Sequence, residues 1–119
     1  MPTHYAHFKV EVVDKTHVLH LRNHQLIEQQ VITHLKEELL RYVGHQSPKL
    51  LVISFKEVQR FSSENFGVLL NVNNLVKANK GELRLCEISD QIREVFGITR
   101  LDQLFEIHGS LSGAIDQFK

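Results

Sequence analysis

Two adjacent serines interrupt the stretch VQRFSSENFGVLLNV, Val58 to Val72, where an apolar run breaks at Ser62 and Ser63 and resumes with helical spacing. A serine at such a boundary has two kinds of chemistry open to it. Its hydroxyl can accept a hydrogen bond from one of the unpaired backbone N–H groups at the helix start, a contact worth about 1 kcal/mol. It can instead face solvent and be the chemical point of the protein. With two serines in a row the roles are compatible, because one can cap while the other is exposed.

The other candidate groups form no reactive constellation. His17, His20 and His24 are close in sequence, but on a strand residues 17 and 20 point to opposite faces, and no His-Glu-x-x-His or His-x-His pattern accompanies them. A structural or solvent-facing role is expected, with no metal. Cys86 is the only cysteine, so an intrachain disulfide and a cysteine-based metal site are both excluded. It lies in an apolar strand, where a small core residue is expected rather than a nucleophile. There is no Gly-x-Ser-x-Gly elbow and no Walker or dinucleotide spacing. No catalytic residue and no cofactor are therefore assigned.

The elements that must position the serines can be read from periodicity. HFKVEVVD places Phe8, Val10 and Val12 on one side against Lys9 and Glu11, and THVLHL alternates again, so the two segments predict an antiparallel hairpin turning at Asp14-Lys15. From Leu26 to Val43 the period changes: Ile27, Val31, Leu35, Leu39 and Val43 recur every four residues, flanked by Ile32 and Leu40, which predicts an amphipathic helix stopped by Gly44. KLLVISF is apolar without alternation, as expected of a strand buried on both faces. A helix from about Ser63 to Asn79, a strand in ELRLCEI, a short helix in SDQIREVFG, a brief strand in LFEI and a closing helix in SLSGAIDQF complete the order β-β-α-β-α-β-α-β-α. Strands alternating with helices need crossover connections. The expectation is an α/β fold, with a mixed, mostly parallel sheet of about four to five strands and about four helices.

Within these elements Val72 and Val76 share a buried stripe with Leu69, which leaves Asn71, Asn73 and Asn74 for an exposed face and its margin. Near the end Leu101, Leu104 and Phe105 are expected to fill the core, with Arg100 and Asp102 at the surface.

At 119 residues, with no repeat, linker or charge block, the chain is expected to form a single domain, 1–119. Fourteen basic and fourteen acidic residues give a formal charge of zero, so the attraction that draws proteins to nucleic acid or anionic membranes is missing. No apolar run approaches the ~18 residues needed to span a bilayer, and the start lacks the layout of a signal peptide. A cytoplasmic protein is expected, with a protein or small neutral ligand as its partner.

From Lys49 to Phe118 the sequence resembles the bacterial STAS domain, the fold of anti-sigma factor antagonists. The resemblance runs through the buried strand, the serine-bearing loop that opens a helix, the Lys80-Gly81 turn, the second strand, Ile-Ser-Asp-Gln-Ile at Ile88 to Ile92, and Gly-Ile-Thr-Arg-Leu-Asp-Gln-Leu-Phe-Glu-Ile at Gly97 to Ile107. In phosphorylated members the loop reads Asp-Ser-Ser-Gly-Leu-Gly, and the first serine is phosphorylated by the partner anti-sigma factor, a serine kinase. Laid on this chain, the aspartate position is Ser62, the phosphoacceptor is Ser63, the second serine is Glu64, the first glycine is Asn65, and Phe66-Gly67 stand for Leu-Gly.

The resemblance thus implies a regulatory module that docks an anti-sigma factor or related serine kinase through Ser62, Ser63, Glu64, Asn65, Phe66 and Gly67. It also implies Ser63 as the phosphorylation switch, with Ser62 a weaker candidate and the better placed of the two to cap the helix. Partner switching would follow, the unphosphorylated form capturing the anti-sigma factor and the phosphorylated form releasing it. The changed flanks Ser62, Glu64 and Asn65 keep an alternative open: a STAS scaffold or sensory module in a larger signalling complex that is never phosphorylated.

Overall fold

The computed structural model describes residues 5–22, 25–26 and 28–116. Among the described residues there are seven strands: β1 (Phe8–Val13), β2 (Thr16–Leu21), β3 (Gln25–Leu26), β4 (Leu50–Ser54), β5 (Arg60–Phe61), β6 (Glu82–Cys86) and β7 (Glu106–His108). Four α-helices accompany them, α1 (Gln29–Gln46), α2 (Glu64–Ala78), α3 (Asp90–Ile98) and α4 (Leu111–Asp116), with a 3-10 turn at Leu101–Gln103. Five strands form one sheet in the order β1-β2-β4-β6-β7. The β1–β2 hairpin is antiparallel and every later pairing in that sheet is parallel. The mixed, mostly parallel α/β architecture expected from the alternation of elements is the one observed.

The hairpin turns where the alternation breaks. Val13 pairs with Thr16, and Asp14 takes the left-handed conformation that a two-residue turn demands. Strand β4 lies in the middle of the sheet, and its successive side chains enter two different cores. Leu51 and Ile53 join the large core with Leu19, Leu35, Leu39, Leu69, Val72, Leu85 and Phe96, whereas Val52 meets Val18, Cys86 and Ala114 of α4. Burial on both faces explains why KLLVISF carries no polar alternation.

Four local expectations are corrected. Leu26 does not begin a helix: it belongs to β3, which pairs in parallel with β5 in a separate two-stranded sheet, and α1 starts at Gln29. Ile27 lies outside the described residues. Gly44 does not stop α1, which continues to Gln46 and ends with Ser47 in the left-handed conformation, its N–H donating to the Val43 carbonyl at 2.8 Å. Pro48 explains that position, because a proline disfavours the right-handed helical conformation in the residue before it. Leu104 is 54 % exposed and leaves the core to Phe105, while Asn73 of α2 is buried. Of the closing helix, Leu111–Asp116 is observed, and Gln117 and Phe118 lie outside the described residues.

One glycine is required by close approach. A Cβ on Gly81, between α2 and β6, would stand 2.6 Å from the Pro48 carbonyl oxygen and 2.9 Å from a Val76 methyl. The Lys-Gly turn therefore seats the end of α2 against the loop that enters β4.

Candidate functional site

The serine loop is held from beneath before its surface is formed. Phe61 ends β5, and its ring meets Phe55 edge-on at 5.4 Å and Phe66 at 5.4 Å; Phe66 in turn meets Phe96 of α3 at 4.8 Å, and Phe96 meets Phe105 at 6.0 Å. These edge-to-face contacts run from the end of β4, through both ends of the serine loop, to α3. Aromatic residues spaced five apart around Ser62-Ser63 were the signal for this anchor, but only the folded chain brings Phe55, Phe96 and Phe105 to them.

On that base the first turn of α2 winds tightly. The Asn65 N–H donates to the Ser62 carbonyl at 3.0 Å and the Phe66 N–H to the Ser63 carbonyl at 3.1 Å. Asn65 is 1 % exposed and its side-chain Nδ2 donates to the Ser62 Oγ at 3.3 Å. Ser62 is half-buried, and its hydroxyl accepts from a side chain where a helix cap would accept from backbone. Ser63 occupies the capping position with helical dihedrals, φ −62° and ψ −24°, and its side chain accepts no capping bond. The expected capping role is thus filled by neither hydroxyl: a cap needs an extended backbone to aim its oxygen back at the N–H groups, and Ser63 is already helical.

Of the six residues expected to meet a partner, Ser63, Glu64 and Gly67 are exposed and Ser62 half-exposed, while Asn65 and Phe66 turn inward and fix the loop. Nothing stands within 4 Å of where a Gly67 Cβ would be, so this position faces open space. Glu64 places one negative charge in the first turn, a location the helix dipole favours.

A shallow groove of about 250 Å³ adjoins the loop, lined by Gln59, Arg60, Phe61, Phe66, Gln91, Ile92 and Val95. Val95 in its lining is 38 % exposed, and Ile98, outside the lining, is 74 % exposed. Sequence reasoning assigned α3 only a fold-building role. The signal was Ile98, which falls off the stripe defined by the buried Ile92 and Phe96, while Val95, three residues after Ile92, lies at its margin.

The remaining nucleophilic and titratable groups have structural surroundings. Cys86 is fully buried, and burial, with the nearby Glu87 carboxylate, pushes its thiol up to about 12 against the opposing hydrogen bond from Ser54. His17 Nδ1 shares a hydrogen bond with the Tyr42 hydroxyl at 2.5 Å, and burial lowers its pKa. His20 Nε2 contacts Glu11 Oε1 at 2.8 Å on the other face of the sheet. His24 lies outside the described residues. Among the described residues no group of three or more histidine, cysteine or carboxylate side chains is placed to hold a metal ion, and no helix is long and apolar enough to cross a membrane.

The family model described as the STAS domain matches residues 8–114. Solved structures share the fold at low identity. An anti-sigma factor antagonist from Mycobacterium paratuberculosis superposes with a TM-score of 0.80 at 21 % identity, covering 92 % of this chain and 91 % of that one. An anti-sigma-factor antagonist domain protein from Planctomyces limnophilus gives 0.79 at 20 %, covering 90 % and 93 %. The Bacillus cell fate determinant SpoIIAA in its phosphorylated form gives 0.69 at 18 %, covering 94 % and 99 %. With the family match spanning nearly the whole chain and the sheet order and helices in agreement, the chain belongs to the STAS domain family.

Proposed function

We propose that this STAS domain is a regulatory protein-binding module of the anti-sigma factor antagonist kind, which captures an anti-sigma factor with serine kinase activity and releases it when Ser63 is phosphorylated. The observation that carries the reading is the state of Ser63, whose exposed side chain makes no cap at the start of α2 on a loop pinned by Phe61 and Phe66. A kinase needs an accessible hydroxyl. SpoIIAA, which shares this fold, has been solved in a phosphorylated form, and that supports the same kind of control here.

A phosphate on Ser63 would sit at the positive end of the α2 dipole, where an anion is tolerated. The fold is left intact and the cost falls on the complex. If the partner covers the loop together with the apolar groove and Val95, docking must desolvate the phosphate, and a penalty of several kcal/mol corresponds to a hundredfold or more in affinity. The reading assigns the phosphoryl transfer to the partner, with no catalytic role for the STAS domain itself.

The second reading, a scaffold or sensory domain that is never phosphorylated, is favoured by the acidic Glu64 directly after the acceptor. It already supplies a negative charge where the phosphorylated relatives have a second serine. Incubation with the candidate kinase and ATP, followed by intact mass measurement, separates the two. One added phosphate on the wild type and on Ser62→Ala, absent from Ser63→Ala, supports the switch. A phosphate that persists on Ser63→Ala overturns the site, and none on any form favours the scaffold.

A further inference from the structure

Strand β1 ends the sheet, and among the described residues no strand pairs with its outer edge. An edge of this length presents a row of unpaired N–H and C=O groups, a template for another strand. Which residues face outward follows from the hairpin. The Arg22 N–H donates to the His7 carbonyl at 3.0 Å, and Val13 pairs with Thr16 across the two-residue turn. The odd residues 9, 11 and 13 therefore bond to β2, and the backbone groups of Phe8, Val10 and Val12 point away from the sheet.

We propose that a second copy of this chain occupies that edge, β1 pairing antiparallel with β1 across a two-fold axis through Val10. In this register Val10 faces its own symmetry mate, and Phe8 faces Val12 of the second copy. Every outward backbone group of the central strand then finds a partner, about six hydrogen bonds from three pairs. On the opposite face Lys9 stands directly across from Glu11 of the second copy, and Glu11 across from Lys9. These are the closely spaced, non-hydrogen-bonded positions, where opposite charges attract and like charges repel. The neighbouring register, centred on Glu11, would set two carboxylates against each other and is disfavoured. The pairing also accounts for Val12, which is 56 % exposed although it lies on the core side of the strand. Glu38 fixes where the edge begins, accepting from the N–H groups of Ala6 at 2.7 Å and His7 at 3.0 Å.

This inference does not depend on the phosphorylation reading. Sedimentation velocity over a concentration series tests it. The wild type is expected to form a dimer. Lys9→Glu and Glu11→Lys are each expected to weaken the dimer about tenfold, since each turns two attractions into two repulsions. Lys9→Glu with Glu11→Lys in one chain restores complementarity and the dimer. Val10→Pro removes an outward N–H that no other strand among the described residues uses, and it should abolish dimerisation with the melting temperature little changed. A wild type that stays monomeric up to roughly 300 µM, where a pairing of micromolar Kd is nearly saturated, overturns the proposal. So does a dimer that neither single charge reversal weakens, and that result decides the matter even if Val10→Pro fails to fold.

Discussion

Two helices of this domain begin with a serine followed by an acidic residue, and the two serines do different things. Ser89, before α3, has an extended backbone, φ −63° and ψ 157°, and its Oγ accepts from the Ile92 N–H at 3.3 Å. Ser63, before α2, is already helical and caps nothing. In sequence Ser89-Asp90 and Ser63-Glu64 are nearly the same signal. The difference comes from the chain leading in: Ser89 follows β6 through a left-handed Glu87, whereas Ser63 follows a β5 strand whose Phe61 is held by Phe55 and Phe66. Two helix starts with similar residues thus divide into one committed hydroxyl and one accessible hydroxyl.

The comparison breaks most readily at its aromatic base. Phe66→Ala, which empties a site bounded by Phe61 and Phe96, is expected to cost about 3–5 kcal/mol in urea unfolding, a large part of a typical domain's stability. Ser89→Ala removes a working cap and should cost about 1 kcal/mol. Ser63→Ala removes none and should stay within about 0.5 kcal/mol of the wild type. If the two alanine variants lost equal stability, the assignment of one cap and one free hydroxyl would fail.

The thiol of Cys86 sharpens the same contrast between buried and accessible nucleophiles. Its pKa is raised in the folded state by burial, so its contribution to stability is fully present below the thiol pKa of the unfolded chain, about 8.5, and is lost as the pH rises towards about 12. At pH 8 alkylation should be slow in native protein and fast in denaturant. Fast native labelling would place Cys86 nearer the surface.

The large elements were legible because each carries a period: alternation in β1, fourfold recurrence in α1, an unbroken apolar run in β4. What escaped has no period to read. β3 and β5 are two residues each, too short for any alternation, and so Leu26 was absorbed into a helical pattern. The stop of α1 depended on Pro48 acting through Ser47, not on the more conspicuous Gly44. Val12 lies on the core side as the alternation requires, yet remains exposed because its strand is the last in the sheet. At the site the resemblance singled out Ser62 to Gly67, but residue type alone did not separate the inward Asn65 and Phe66 from the outward Ser63, Glu64 and Gly67. That division is set by contacts with Phe61 and Phe96, which lie outside the motif. The capping role failed for a related reason, since it rests on backbone dihedrals that similar residues do not share.

The central claim is that the surface around Ser63 binds a partner and that negative charge there releases it without harming the fold. Calorimetric titration of the candidate anti-sigma factor with unmodified, Ser63-phosphorylated and Ser63→Glu protein tests this directly, with thermal melts of all three. The expected result is binding by the unmodified form, at least a hundredfold weaker binding by the phosphorylated form, a loss in the same direction for Ser63→Glu, and stabilities within about 1 kcal/mol of one another. Equal affinity of the phosphorylated and unmodified forms would contradict the account, and so would a loss of binding that merely follows a loss of folding.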